Sequence, residues 1–277
     1  MFLAVLLAAL LHACWNGLIK HSADKLLAMT GMILGHAPLA VLALCLAPPL
    51  DFACWPYLLG GAALHLCYQL FLLNAYRLGD LSQVYPIARG IAPLIAVTIS
   101  TTVLGIALLP LEVVAVMVIV TGIMSLAFVH RADGLINGKA VAAAIGTGCF
   151  IAGYSLVDGL GARLGQSPVA FYGWLSILNA AAWIVFTQIF RRGVIVRLAT
   201  EGRSVTLLAG GFSFLAYTIV VWAFTQAPIA LVMALRETSI VFALVIGVFI
   251  LNERLDLAKV VSTFVTLAGA VLLRASH

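Results

Sequence analysis

A gapless internal repeat carries a charged residue through the middle of two apolar stretches. Shifted by 147 residues, Arg89 falls on Arg236, Ala96 on Ala243, Ile99 on Ile246, Leu104 on Leu251 and Leu108 on Leu255. Val113, Val114 and Val118 fall on Val260, Val261 and Val265, and Gly122 falls on Gly269. A charge held at membrane depth is costly and marks function or pairing. Its recurrence in both halves predicts a duplicated membrane protein with a polar site formed by the two copies.

Composition decides the solvent. The chain is 64% hydrophobic and 9% charged, against about 25% charged in soluble domains, so lipid must cover most of its surface. Apolar runs predict ten spans, roughly 2–19, 26–47, 56–76, 82–104, 111–129, 139–158, 168–190, 205–225, 229–251 and 257–274. Turn residues mark several loops, among them Pro48-Pro49, Gly79-Asp80, Asp133-Gly134 and Asn252 to Asp256. The longest loop, near 191–204, is basic. Leu11-His12-Ala13-Cys14 faintly matches a lipoprotein cleavage site, but no Lys or Arg precedes it, so 2–19 is read as the first span. The runs are continuous and about twice the length of a barrel strand, which excludes a β-barrel. Five spans per copy is an odd number, so the second copy enters from the opposite side. The expected fold is an all-α integral membrane protein of ten transmembrane helices in two inverted five-helix repeats, 1–130 and 138–277.

Several chemistries lack support. The five cysteines have no CxxC or Cys/His metal spacing, so neither metal nor cofactor is expected. There is no P-loop, hence no ATP, and no HExxH or GxSxG, hence no enzyme signature. No basic, aromatic-interleaved patch suggests nucleic acid.

The pattern resembles the drug/metabolite transporter superfamily in its EamA-type branch, over nearly the whole chain. The resemblance rests on Val84-Tyr85-Pro86-Ile87-Ala88-Arg89-Gly90-Ile91-Ala92-Pro93 and Ala234-Leu235-Arg236-Glu237-Thr238. It also rests on Asn252-Glu253-Arg254-Leu255, close to the family's Gly-Glu-Arg-Leu turn, and on His12-Ala13-Cys14-Trp15-Asn16 and Ala227-Pro228-Ile229-Ala230. The first copy departs from the pattern, with Gly105-Ile106-Ala107-Leu108 at the turn. The resemblance implies a ten-helix carrier exporting amino acids or other small metabolites, with a cavity lined mainly by spans 1, 3, 4, 6, 8 and 9.

The residues support such a site independently. Pro86 and Pro93 are seven apart on span 4; each removes a backbone donor and can kink the helix, and Arg89 lies between them. Arg89 is expected to grip a carboxylate or phosphonate, or else to brace an acid or freed carbonyls. Arg236 and Glu237 are adjacent, so on a helix they point about 100° apart. Glu237 reads as the only acid well inside a span, available for proton coupling or for an ion pair with Arg89 or Arg236. His65, Tyr68, Gln69, Leu72 and Tyr76 follow one stripe of span 3. His65 and Tyr68 are read as cavity wall, as are Tyr85 beside Arg89, His12 and Asn16 of span 1, Tyr154 of span 6 and Tyr217 of span 8. Trp55, Tyr57 and Tyr172 read as an interfacial aromatic belt.

The expected activity is secondary transport of a small organic metabolite, such as an amino acid, by alternating access, with five-helix halves rocking about a central site. The expected setting is a bacterial inner membrane, with the lipid bilayer and a small-molecule substrate as partners and the chain a monomer or homodimer. Other readings are a flippase or carrier for a lipid-linked or phosphonate-like compound, an integral-membrane enzyme, and a non-transporting partner subunit. For orientation, one set of loops holds eleven basic residues, and the other side holds Arg163 and Arg274. That bias puts both termini outside, whereas the resemblance implies both inside.

Overall fold

The computed structural model describes residues 1–20, 22–78, 81–129, 138–249 and 257–276. Among these the chain is helical throughout: α1 (Phe2–Lys20), α2 (Lys25–Leu46), a 3-10 turn (Phe52–Cys54), α3 (Trp55–Leu78), α4 (Leu81–Thr102), α5 (Pro110–Val129) and α6 (Gly138–Leu164). It continues with α7 (Pro168–Phe190), α8 (Val194–Glu201), α9 (Arg203–Gln226), α10 (Ile229–Arg236), α11 (Ser239–Phe249) and α12 (Leu257–Ala275). Nine helical stretches among the described residues are long and apolar enough to cross a membrane, and Pro110–Leu126 is a shorter apolar helix. The expected all-α membrane architecture stands. The expected repeat junction near 130–138 lies almost wholly outside the described residues, and the Asn252-Glu253-Arg254-Leu255 turn lies outside them altogether.

Local chemistry sets the ends. Asp24 caps α2, its Oδ1 accepting from the Leu27 amide at 3.0 Å. Ser167 caps α7, its Oγ accepting from the Ala170 amide at 3.2 Å, with Pro168 opening the helix where no donor is needed. Large aliphatic and aromatic side chains point outward, including Leu3, Val185, Ile189, Phe249 and Phe264, while Arg89, Glu237, Asp158 and Gln69 are buried. Exposed apolar groups with buried polar ones are what a lipid solvent selects.

Three sequence expectations need correction. The basic loop near 191–204 contains a helix, α8, whose Val194 and Leu198 are buried. Span 6 does not stop at 158; α6 runs to Leu164, so Asp158 lies well inside it, and Glu237 is not the only acid at depth. The ninth span is interrupted, with α10 ending at Arg236 and α11 starting at Ser239.

The chain forms two compact units, and both draw on both sequence halves. One comprises Leu3–Leu66 and Val157–Gln226, the other Cys67–Leu156 and Ala227–His277, with Met1 assigned to the first and Phe2 to the second. In the first, α2 packs on α7 and α9. Its core gathers Leu58, Phe171, Leu175, Phe214 and Val221. Trp183 of α7 donates through Nε1 to Thr30 Oγ1 of α2 at 3.1 Å, which satisfies its polar atom inside this core.

The second unit shows the repeat in its packing. Here α5 lies along α12, and α4 packs on α5 and α10. A methyl group at Gly122 would meet Thr266 Oγ1 at 2.7 Å and the Ser262 carbonyl oxygen at 3.0 Å. One at Gly269 would meet Ile119 Cγ1 at 2.6 Å and the Ala115 carbonyl oxygen at 2.9 Å. The 147-residue shift carries Gly122 to Gly269, Ala115 to Ser262 and Ile119 to Thr266. Each glycine therefore meets the repeat equivalents of what the other meets, the signature of a two-fold contact. The missing side chains let the two backbones approach closely, the usual way helices associate in lipid.

Candidate functional site

In the second unit the site is built where the ninth span breaks. Every residue of α10 is buried. The bonds at the break are of the three-residue kind: Glu237 N to Ala234 O at 3.0 Å, Thr238 N to Leu235 O at 3.1 Å and Ile240 N to Glu237 O at 3.1 Å. Such a tightening inside a helix is a common feature of functional hinges. It also suits the charges. Arg236 ends α10, where the helix dipole favours a cation, and Glu237 precedes α11, where it favours an anion.

Arg89 of α4 reaches this break. Its Nε donates to Glu237 Oε2 at 2.7 Å, and its Nη2 donates to Ser239 Oγ at 3.4 Å. Arg89, Arg236 and Glu237 are all buried. The Tyr85 ring lies 5.7 Å from the Arg89 guanidinium carbon, and Tyr154 also lies within its electrostatic reach. Tyr68 and Tyr154 meet edge-on with centroids 5.4 Å apart. Two guanidinium groups, one carboxylate and a set of phenols thus occupy this interior. Helix α4 itself continues through Pro86 and Pro93, both buried. Pro93 has no N–H to offer the carbonyl of Arg89, four residues earlier.

The first unit holds a second polar cluster. Asp158 of α6 has no exposed surface. Its Oδ2 is 2.8 Å from His65 Nε2 of α3 and accepts from Tyr217 OH of α9 at 2.7 Å. The Tyr217 ring stacks on Tyr172 of α7 at 5.0 Å, and the Tyr172 hydroxyl lies 3.5 Å from Nδ1 of the buried His36 on α2. Tyr172 is therefore a core residue, not part of an interfacial belt. His12 and Asn16 lie on α1, with the His12 ring edge-on to Trp15 at 4.8 Å and Asn16 Nδ2 donating to the His12 carbonyl at 2.8 Å.

The structure thus brings Arg89, Tyr85, Tyr68, Tyr154, Arg236 and Glu237 into one unit, and His65 and Tyr217 into the other with Asp158. Asp158, His36 and Ser239 are site residues that the sequence pattern did not single out. The available signal was an acid on a helix of small residues. Gly159 and Gly161 look like loop punctuation but lie in α6, with Gly161 and Ala162 buried.

Comparison with known proteins adds the class. Residues 138–275 match the model of the EamA-like transporter family. This chain carries an EamA-like transporter domain. It is a multi-pass membrane protein with a general role in transport. The EamA-like domain contains α6 through α12, and so supplies Asp158, Tyr217, Arg236 and Glu237. Among solved structures, a chain titled "Crystal structure of protein" superposes with TM-score 0.74 at 15% identity, over 99% of this chain and 99% of that one. That likeness shows the shared fold. No curated protein matches the chain.

Proposed function

We propose that the protein is a secondary carrier that moves a small organic metabolite bearing a carboxylate, such as an amino acid, across the bacterial inner membrane by alternating access, in the export direction. The observation that carries this reading is the buried Arg89–Glu237 pair at the break between α10 and α11, held within a transporter-family chain. A purely structural ion pair gains little in a buried setting. A cation kept at depth for an anionic ligand explains why the charge recurs in both copies.

In this reading Glu237 is the counterion of Arg89 in the empty carrier, and the substrate carboxylate replaces it. The planar fork of Arg89 suits a bidentate grip on a carboxylate. Arg236 adds positive potential at Glu237. Tyr85, Tyr68 and Tyr154 contribute hydroxyls and ring faces for the remainder of the substrate. Glu237 at a broken helix is also a candidate for proton coupling.

The test is flux in proteoliposomes. A panel of labelled amino acids and small carboxylates should include at least one that the parent moves and that the folded Arg89→Gln variant does not. Equal flux of every transported compound by parent and variant would make Arg89 a brace and sink the reading.

A further inference from the structure

We propose that Asp158, His65 and Tyr217 form a proton-binding site, separate from the Arg89–Glu237 pair. Its use in coupling protons to transport rests on the carrier reading above; the proton site itself does not.

The argument begins with Asp158 Oδ1. This oxygen is buried and has no hydrogen-bond partner among the described residues, while Oδ2 is shared by His65 and Tyr217. A buried carboxylate with one bare oxygen is expensive in a medium without water. The space around Oδ1 is closed. A methyl group built on Gly61 of α3 would stand 2.5 Å from it and 3.1 Å from Leu175 Cδ1 of α7. Gly61, one turn before His65, is thus what allows α3 to seat against the acid. A bound water, metal ion or substrate ammonium would need room that these neighbours fill, whereas a proton needs none.

A route exists. The His65 side chain is 13% exposed and Asp158 is fully buried, so the imidazole offers a path by which a proton reaches the acid. His65 Nε2 touches Oδ2 directly, and imidazole exchanges protons near neutral pH. Among the described residues the titratable neighbours are Tyr217 of α9, then Tyr172 of α7 against the Tyr217 ring, and His36 of α2 beside the Tyr172 hydroxyl. Arg163, on α6 itself, is directed to the Phe224 carbonyl at 2.8 Å. One added proton belongs to the His65–Asp158 pair as a whole, as imidazolium with carboxylate or as imidazole with carboxylic acid. In both forms the site gains one positive charge, and the contacts linking α3, α6 and α9 change strength with it.

The test is difference infrared spectroscopy of the full chain in phosphatidylcholine liposomes, stepped over about pH 5 to 8. Carboxyl and imidazole bands are read together, so either form of the protonated pair is visible. The parent should show a reversible component of the titration that is lost in Asp158→Asn and kept in Glu237→Gln, over the background of the other five histidines. Tyr217→Phe deletes one donor to the carboxylate, so the proton should be bound at higher pH, by about tenfold in proton affinity. A titration in Asp158→Asn identical to the parent's overturns the proposal, as does an Asp158-dependent component that is unmoved in Tyr217→Phe. Should Asp158→Asn fail to fold, Tyr217→Phe decides alone, since it removes only a hydroxyl. Substrate flux plays no part in this readout, so the site can stand or fall independently of the carrier reading.

Discussion

Arg89 and Glu237 are bonded at 2.7 Å, yet they are not repeat equivalents of one another. The 147-residue shift places Arg89 on Arg236 and places Gly90 on Glu237. The duplication supplies an arginine in each copy and a carboxylate in only one. The pair is therefore where the two-fold likeness of the second unit ends, and asymmetry at a repeated site is expected where a carrier must hold one substrate.

Removing Arg89 should separate its structural role from its functional one. Arg89→Gln leaves Glu237 buried without its cation and should cost about 3–5 kcal/mol. The double variant Arg89→Gln with Glu237→Gln should recover most of that stability and none of the flux. Arg89→Lys keeps the charge and loses the planar fork, so its flux should fall between parent and Gln. Chemical unfolding in detergent and flux in liposomes read the two roles separately. Flux restored by the double variant would assign Arg89 to the fold alone.

The contact of α5 with α12 makes a symmetric prediction. A methyl group at Gly122 or Gly269 meets backbone atoms of the opposite helix, and backbone cannot turn aside. Gly122→Ala and Gly269→Ala should each cost about 1–3 kcal/mol, and by similar amounts, because each meets the other's repeat equivalents. Thermal unfolding of the two variants in one detergent is the measurement. A large cost at one position and none at the other would mean that the packing is not shared between the copies.

The sequence made the repeat legible because its markers are intrinsic to the chain: Arg89 with Arg236, Gly122 with Gly269, and valines at matched places. It made Arg89 legible for the same reason, since a charge inside an apolar run has few explanations. The break at Glu237 was hidden. Residues 234–239 contain neither proline nor glycine, so nothing local interrupts the helical pattern. Asp158 was hidden by glycines that serve packing within α6 and not a turn. Tyr172 was misread because a tyrosine near the start of a span resembles a headgroup anchor, and only its contacts with His36, Phe214 and Tyr217 show it to be core. Those contacts join residues 42 or more positions apart, beyond any local pattern.

At the membrane surface, Asp24 should give stability a measurable acid dependence. Its carboxyl is held below the usual range first by the Leu27 backbone amide that it caps and then by the Arg197 guanidinium at 3.0 Å. A folded value below the unfolded one, which is about 3.9, contributes stability above that pH and loses it as the pH falls further. Asp24→Asn keeps a capping oxygen and cannot ionise, so it should flatten this part of the pH profile while the helix stays capped. Asp24→Ala should cost about 0.5–2 kcal/mol at neutral pH. Arg197 is largely exposed and shared with Glu201, and Arg197→Gln should leave stability nearly unchanged. Melting curves of the variants between acid and neutral pH check all three, and a parent curve indifferent to acid would remove the basis for the first.

Orientation follows from charge. If the chain alternates through ten spans, Lys20, Lys25, Arg77, Arg131, Lys139, Arg191, Arg192, Arg197, Arg203, Arg254 and Lys259 fall on one side, leaving Arg163 and Arg274 for the other. Short loops rich in Lys and Arg remain in the cytoplasm, because moving each cation outward works against the membrane potential and the insertion machinery. Helix α8 adds to this side, presenting Arg197 between α7 and α9 beside the exposed Arg191, Arg192 and Arg203. Both termini are then expected outside the cytoplasm. The measurement is a pair of C-terminal fusions, one to a reporter active only in the cytoplasm and one to a reporter active only outside it. Activity of the outside reporter alone supports the charge count. Activity of the cytoplasmic reporter would place the basic loops outside, against their charge, and would show that orientation here is set by something other than the positive-inside bias.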